Sequence, residues 1–138
     1  MEASGKNKSP RNNFPIVGIG ASAGGMEAFG EFFQNMPADS GMAFVVIQHL
    51  DPTRKGLMPE LLQRMTPMKV SEVKDGLKVQ PNRVYVIPPN KDISILHGTL
   101  HLSDPVSPRG LRLPIDFFFR HLAEDRGEKC VGSVIVPI

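Results

Sequence analysis

Apolar residues occur along this chain with two different periods, which predict alternating strands and helices. Continuous apolar runs are typical of strands that are covered on both faces, and they fall at 16–21, 43–47 and 130–136. Between the first two runs, large apolar residues recur at three- and four-residue spacing, which predicts an amphipathic helix over 25–36. A strand, a helix and a strand in this order imply parallel neighbours with a right-handed crossover.

The rest of the chain continues the alternation with shorter elements. We predict a helix over 57–65, strands at 68–73 and 83–87, a β-hairpin over 93–102 and a helix over 115–123. The hairpin turns at His97-Gly98, because apolar and polar residues alternate on both sides of this pair. The predicted fold class is α/β, with a doubly wound, mainly parallel, Rossmann-like sheet in three layers and a β-hairpin insertion.

Composition and charge narrow the class of protein. Residues 1–13 lack an apolar period, so we predict a disordered leader there, followed by one domain over 14–138. A net charge of +2 is too small to argue for a nucleic-acid partner. The single cysteine, Cys130, suits a reducing compartment and is interpreted as a small strand residue. No apolar run approaches the ~18 residues of a membrane span, and no secretory signal is visible. We therefore expect a cytoplasmic protein without membrane insertion.

The first strand runs into a glycine-rich stretch, Gly20-Ala21-Ser22-Ala23-Gly24, which fits the G-x-S-x-G nucleophile elbow. In such an elbow the flanking glycines let the backbone turn sharply, so that the serine hydroxyl projects from the end of the sheet. The same stretch fits the dinucleotide fingerprint G-x-G-x-x-G/A through Gly18, Gly20 and Ala23. A glycine-rich turn that binds nothing is the third interpretation, and this stretch alone leaves all three open.

A histidine at the end of the second strand favours the nucleophile. His49 is expected at the same sheet edge as Ser22, and an imidazole is the usual base that takes a serine proton. A dinucleotide fold instead expects an acidic residue at the end of that strand, where this chain has Gln48 and His49. The α/β-hydrolase order of serine, acid and histidine does not fit either, because His49 comes next after Ser22.

The other histidines are not expected to hold a metal. His97 and His101 lie four residues apart, but Gly98 and the strand-like alternation indicate exposed hairpin residues, and we find no third zinc ligand. His121 is interpreted as a surface or partly packed residue of the third helix. We predict no metal and no cofactor.

Several segments together closely resemble the catalytic domain of chemotaxis protein-glutamate methylesterases of the CheB type. They are 18–25 (GIGASAGG), 44–50 (FVVIQHL), 84–89 (VYVIPP) and 114–119 (PIDFFF). The resemblance covers Phe14 to about Val131, and the joint serine–glycine and Gln-His motifs are specific. The segment 109–114 (RGLRLP) is most similar to the version that is fused to a receptor methyltransferase domain.

This resemblance implies a function and a set of site residues. Ser22 corresponds to the nucleophile and His49 to the base, and the backbone N–H of Ala23 contributes to the oxyanion hole. The implied substrates are methylated glutamates on the cytoplasmic helices of chemoreceptors, and many such proteins also deamidate glutamine. A fused or separate methyltransferase domain is the other implied partner.

The chain departs from the family pattern at its C-terminus. In the family the last strand leads into a loop, G-x-G-x-D-G, whose aspartate orients the histidine, whereas this chain ends in Val136-Pro137-Ile138. None of Asp51, Asp92, Asp104 or Asp116 can be assigned to that role from sequence. We therefore expect a fold that is incomplete at its C-terminal side, with one sheet face partly uncovered and impaired esterase activity. A non-catalytic receptor-docking or regulatory fragment is the alternative, with a nucleotide-binding module behind it.

Overall fold

The structure, a computed structural model, describes residues 14–21, 26–48, 58–104 and 114–135. The predicted leader, residues 1–13, lies outside this part of the chain. The five strands of the main sheet are β1 (Ile16–Ala21), β2 (Ala43–Gln48), β3 (Lys69–Glu72), β5 (Arg83–Val86) and β8 (Cys130–Ile135). Their order in the sheet is β3-β5-β2-β1-β8, and every neighbouring pair is parallel. The predicted parallel α/β sheet is thus confirmed.

Three α-helices accompany the sheet within the described residues. They are α1 (Met26–Gln34), α2 (Met58–Gln63) and α3 (Pro114–Arg126), and a short 3₁₀ turn (Gly127–Lys129) joins α3 to β8. The first helix ends two residues before the predicted boundary, and α3 continues three residues beyond it. No helix in the described ranges is long and apolar enough to cross a membrane.

The central strands are covered on both faces because their apolar residues alternate between two cores. Phe44 and Val46 of β2 join Phe29 and Phe33 of α1 in one core, while Ile47 of β2 lies in the other. The second core also contains residues from α3 and from a small second sheet, including Phe118, Leu122, Ile93, Ile95 and Leu100. The expectation of an uncovered face therefore does not apply to β1, β2 and β5, whose apolar side chains are buried wherever the structure describes them.

The second sheet is antiparallel and contains the predicted hairpin. Its order is β4-β7-β6, with β4 at Leu77–Lys78, β6 at Asp92–Leu96 and β7 at Thr99–Ser103. The hairpin turns through His97 and Gly98, both with positive φ (53° and 74°), as in the two-residue turns that match the twist of the flanking strands. The two-residue strand β4 is too short to show a period, and sequence analysis missed it.

Candidate active site

Two neighbouring parallel strands end side by side at one edge of the main sheet. Ala21, the last residue of β1, is the register partner of Gln48, the last residue of β2. Neighbouring strands lie about 4.8 Å apart, so the chain leaves both strands at adjacent positions. We call this edge, where β1, β2, β5 and β8 end, the carboxyl edge. The prediction that the first two strands share it is confirmed.

The predicted catalytic residues follow these strand ends in the chain. Ser22 comes directly after Ala21, and His49 comes directly after Gln48. Ser22, Ala23 and His49 themselves lie outside the described residues, so their roles stay predictions. The structure does describe the residues that precede Ser22 and His49, namely Ala21 and Gln48, which form a register pair at the carboxyl edge.

The order of the strands reverses at β1. The strands β2, β5 and β3 lie on one side of β1, and β8 lies on the other. Ala21 is accordingly also in register with Ile135, the last residue of β8. Open α/β sheets bind their ligands outside the carboxyl ends of the strands, at the point where the strand order reverses. In this architecture, a ligand site is therefore expected at the carboxyl end of β1.

The two glycines of the proposed dinucleotide fingerprint have a packing role instead. Gly18 and Gly20 both lie inside β1, and neither belongs to the glycines with positive φ. A Cβ built on Gly18 would lie 2.8 Å from Cε1 of Phe119, and one built on Gly20 would lie 2.7 Å from Cδ1 and Cγ2 of Ile115. Both glycines therefore allow α3 to approach the strand closely. The prediction that Gly20 permits a sharp turn is wrong, because it continues β1 in register with Ile47.

This packing role was not predicted, although the sequence contains a signal for it. Two glycines two residues apart in an apolar strand leave one strand face without side chains, which a large apolar helix can occupy. The helix predicted over 115–123 has such a face, and Ile115, Phe118, Phe119 and Leu122 are its members. The dinucleotide interpretation expects these glycines in the turn after the strand, so their place within β1 argues against it.

The structure describes three of the four aspartates that were considered as the orienting acid. Asp104 is exposed, and its Oδ1 accepts a hydrogen bond from Nζ of Lys91 at 2.6 Å, which lowers the pKa of the Asp104 carboxyl. Asp116 is exposed in the first turn of α3. Asp92 is 3% exposed at the start of β6, in register with Ser103. Asp51 lies outside the described residues, and none of the four is assigned to the acid.

The remaining histidines lie away from the carboxyl edge or at the surface. His97 and His101 are exposed on the hairpin, as predicted, and His101 Nδ1 lies 3.8 Å from Oδ1 of Asp75. His121 is half-buried, with Nδ1 2.8 Å from the carbonyl oxygen of Phe117. No cluster of three or more potential metal ligands occurs among the described residues. Cys130 pairs with Ile16 at the opposite edge of the sheet.

Comparison with known proteins gives a consistent picture. The family model described as CheB methylesterase matches residues 17–136. The crystal structure of the Thermotoga maritima CheB methylesterase catalytic domain is similar, with a TM-score of 0.71 and 26% sequence identity. That match covers 88% of this chain and 66% of the Thermotoga chain.

Curated relatives carry the same description. A protein-glutamate methylesterase/protein-glutamine glutaminase of Methanosarcina acetivorans is 28% identical over 94% of this chain, and one of Xanthomonas oryzae pv. oryzae is 32% identical over 87%. A Salmonella typhimurium protein of the same description is 29% identical over 87%. The chain spans 38%, 34% and 35% of these three relatives, respectively, which is little more than a third of their length.

Proposed function

This chain belongs to the CheB methylesterase family, and from that membership we propose that it hydrolyses glutamate methyl esters with Ser22 as the nucleophile and His49 as the base. The observation that best supports these roles is the register pair of Ala21 and Gln48, because the serine and the histidine follow these residues directly. A base must come within hydrogen-bond reach of the proton that it takes. Ser22 and His49 can meet this requirement only if the chain segments that carry them start close together, and the adjacent ends of β1 and β2 provide such starting points.

The proposed reaction has two steps, with the histidine moving the proton in both. His49 accepts the proton of the Ser22 hydroxyl while Oγ attacks the ester carbonyl carbon. The C–O bond to the methoxy group then breaks, and methanol leaves with the proton from His49. Water, deprotonated by His49, attacks the acyl-enzyme, and the free carboxylate and the serine hydroxyl are restored. The same route with an amide releases ammonia, which gives glutamine deamidation.

The tetrahedral intermediate needs hydrogen-bond donors for its oxyanion. We assign one of them to the backbone N–H of Ala23, which follows the nucleophile in the chain. The helix α1 begins three residues later, at Met26, and the first N–H groups of a helix have no partner within the helix. Preorganised backbone donors of this kind stabilise the developing charge strongly in acyl transfer.

The proposed substrates are methylated glutamates on the cytoplasmic helices of chemoreceptors, and the proposed compartment is the cytoplasm. The curated relatives are named as glutamate methylesterases and glutamine glutaminases, and this supports the substrate class. A methyltransferase domain, fused or separate, is the second proposed partner. Its product would be the ester that this site consumes.

The acid that would orient His49 has not been assigned. Ile135 ends β8 in register with Ala21, so β8 ends beside the strand that Ser22 follows. We propose that full turnover requires an acid that orients His49. Loss of the orienting acid lowers kcat of a serine hydrolase by a factor on the order of 10⁴.

A fluorophosphonate probe tests the nucleophile without requiring full turnover. The Ser22 oxygen displaces fluoride from phosphorus, and the serine proton passes to the base, so that labelling reports an activated serine. We expect mass spectrometry of the labelled peptide to find the adduct at Ser22. Labelling should be lost in Ser22→Ala and slowed strongly in His49→Gln, whereas Ser103→Ala and His101→Gln, at exposed hairpin positions, should label normally.

Two outcomes would contradict this proposal. Labelling that persists in Ser22→Ala would place the nucleophile elsewhere. Binding of methylated receptor by an unlabelled chain, with no methanol released, would instead favour the non-catalytic docking role.

A further inference from the structure

We propose that Ile115 is a positioning residue for the nucleophile, because its side chain fixes the end of β1 from which Ser22 follows. This inference rests on the proposed function of Ser22. Three carbon atoms of Ile115, Cδ1, Cγ2 and Cγ1, lie within 2.7–2.8 Å of the place that a Cβ on Gly20 would occupy. The side chain of Ile115 therefore fills the space over the strand backbone two residues before the serine.

Gly20 is restrained within the sheet by its pairing with two neighbouring strands and on each sheet face by a hydrophobic core. Ile115 supplies the restraint on one of these faces. Within the sheet, Gly20 is in register with Ile47 on β2 and with Val134 on β8. On the face of α1, the neighbouring Ile19 is completely buried in the core with Phe29 and Phe33. On the other face, Ile115 makes the contact at Gly20. Its removal would leave the strand end free to shift toward α3.

The chemistry of Ile115 suits a rigid contact. A β-branched side chain has essentially one χ1 rotamer in a helix, so its contact atoms have little freedom to move. Ile115 is the second residue of α3, and the rest of the helix anchors it through Phe118, which is 0% exposed. A nucleophile misplaced by about 1 Å lowers the rate by roughly 10²-fold, so a small shift of this strand end would be measurable.

The same strand offers a matched control at Gly18. A Cβ there would lie 2.8 Å from Cε1 of Phe119, 3.2 Å from Cε2 of Phe118 and 3.3 Å from Cδ2 of Leu122. This contact has the same form but lies four residues before Ser22 instead of two. If α3 only stabilises the fold, loss of its contact at either glycine should change the labelling rate of Ser22 equally. If Ile115 positions Ser22, loss of the contact at Gly20 should slow labelling more than loss of the contact at Gly18.

The test combines fluorophosphonate labelling at Ser22 with urea unfolding of each variant, under conditions in which all variants are folded. We expect Ile115→Ala to slow the maximal labelling rate by about tenfold or more, with the concentration for half-maximal labelling unchanged. Leu122→Ala, which removes a more deeply buried side chain, should destabilise the fold at least as much and leave the labelling rate unchanged. Ile115→Val removes only Cδ1 and should give a smaller loss, which keeps the test open if the alanine variant unfolds.

A compensating pair provides the rescue. Gly20→Ala should slow labelling because its methyl group displaces Ile115 or the strand, and Gly20→Ala combined with Ile115→Ala should recover much of the rate. Equal labelling rates in Ile115→Ala and Leu122→Ala, or no recovery in the double variant, would overturn the positioning role while labelling at Ser22 still supported the nucleophile. Absence of labelling in the unmodified chain would overturn both proposals.

Discussion

The carboxylate of Asp125, near the end of α3, accepts a hydrogen bond from the backbone N–H of His97 in the hairpin turn. Its second oxygen accepts one from the N–H of Gly98 at 3.1 Å. The Asp125 side chain is only 6% exposed, and Nε of the adjacent Arg126 lies 3.9 Å from Oδ2. Asp125 thus joins the C-terminal end of α3 to the second sheet, while the other end of the helix packs on Gly20.

We predict that Asp125→Ala destabilises the fold by about 1.5–3 kcal/mol, the range for hydrogen bonds to a charged group. Asp125→Asn keeps one acceptor and should lose less. Glu124→Gln, an exposed carboxylate on the same helix, is the control and should be neutral. The free energy of unfolding in urea measures all three, and an equal effect at Glu124 and Asp125 would contradict the link.

His97 is held in a backbone conformation that most side chains avoid. Its φ is 53°, and the other non-glycine residues with positive φ among the described residues are Asn82 and Asn90. We predict that His97→Asn stabilises the fold by about 0.5–1 kcal/mol, because asparagine tolerates this region better and Asn-Gly is the preferred pair for such a turn. The melting temperature should rise. His101→Asn, in a regular strand, should show no gain.

Because of Tyr85, the free energy of unfolding should depend on pH in the alkaline range. Burial of the ring raises the pKa of the Tyr85 phenol, while the Gln80 N–H, which donates to its oxygen at 2.8 Å, and Arg83 act in the opposite direction. A raised pKa means that the folded state holds the phenolic proton more tightly. The resulting stability is present below pH about 10, the ordinary pKa of tyrosine, and is lost as pH rises through the higher folded value.

We predict that the free energy of unfolding falls above pH about 10 and that Tyr85→Phe lacks this part of the fall. At neutral pH the phenylalanine variant should be less stable by about 1 kcal/mol, because the Gln80 N–H loses its acceptor. The gap between the two proteins should then shrink as pH rises. Tyr85 is the only tyrosine and the chain has no tryptophan, so the phenolate absorbance reports its titration directly. A gap that is constant with pH would contradict the assignment.

Gln63, the last residue of α2, bonds to the outer edge of β3. Its Oε1 accepts from the N–H of Val70 at 3.0 Å, and its Nε2 donates to the carbonyl oxygen of Met68 at 2.7 Å. We predict that Gln63→Ala lowers stability by about 1–2 kcal/mol and speeds hydrogen exchange at the Val70 amide. Gln34→Ala, at the last residue of α1 and exposed, is the control. Unchanged exchange at Val70 would show that the amide side chain does not protect this edge.

The elements with a long or regular pattern were predictable from sequence. The bounds of β1 agree with the prediction, β2 differs by one residue, and the turn of the hairpin falls on the predicted His97-Gly98. These predictions succeed because burial on both faces, or on alternate residues, imposes a period that is visible in one segment of chain. The adjacent carboxyl ends of β1 and β2 followed from the same patterns, through the rule that a strand, a helix and a strand form a parallel pair.

The end of α3 could not be predicted in this way. Its last turn is polar in sequence, and the helix continues to Arg126, where the partners of Asp125 lie 27 and 28 residues earlier in the chain. The strand β4 has two residues and exists through its pairing with β7. The last turn of α3 and the strand β4 are both stabilised by contacts between segments that are distant in the chain. Local propensity does not predict such contacts.

The order of strands and helices, the parallel α/β class, and the serine and histidine that follow two strand ends could all be predicted from the amino-acid pattern. Each of these depends on neighbouring residues in the chain, whose periodicity and turn chemistry are local properties. The role of Gly18 and Gly20 is visible only in the folded protein, where they accommodate α3 instead of forming a turn or a phosphate-binding motif. A glycine has no side chain, so its packing role depends on which residue occupies the space beside its Cα. At Gly20 this residue is Ile115, which belongs to a helix far along the chain and therefore leaves no trace in the local sequence.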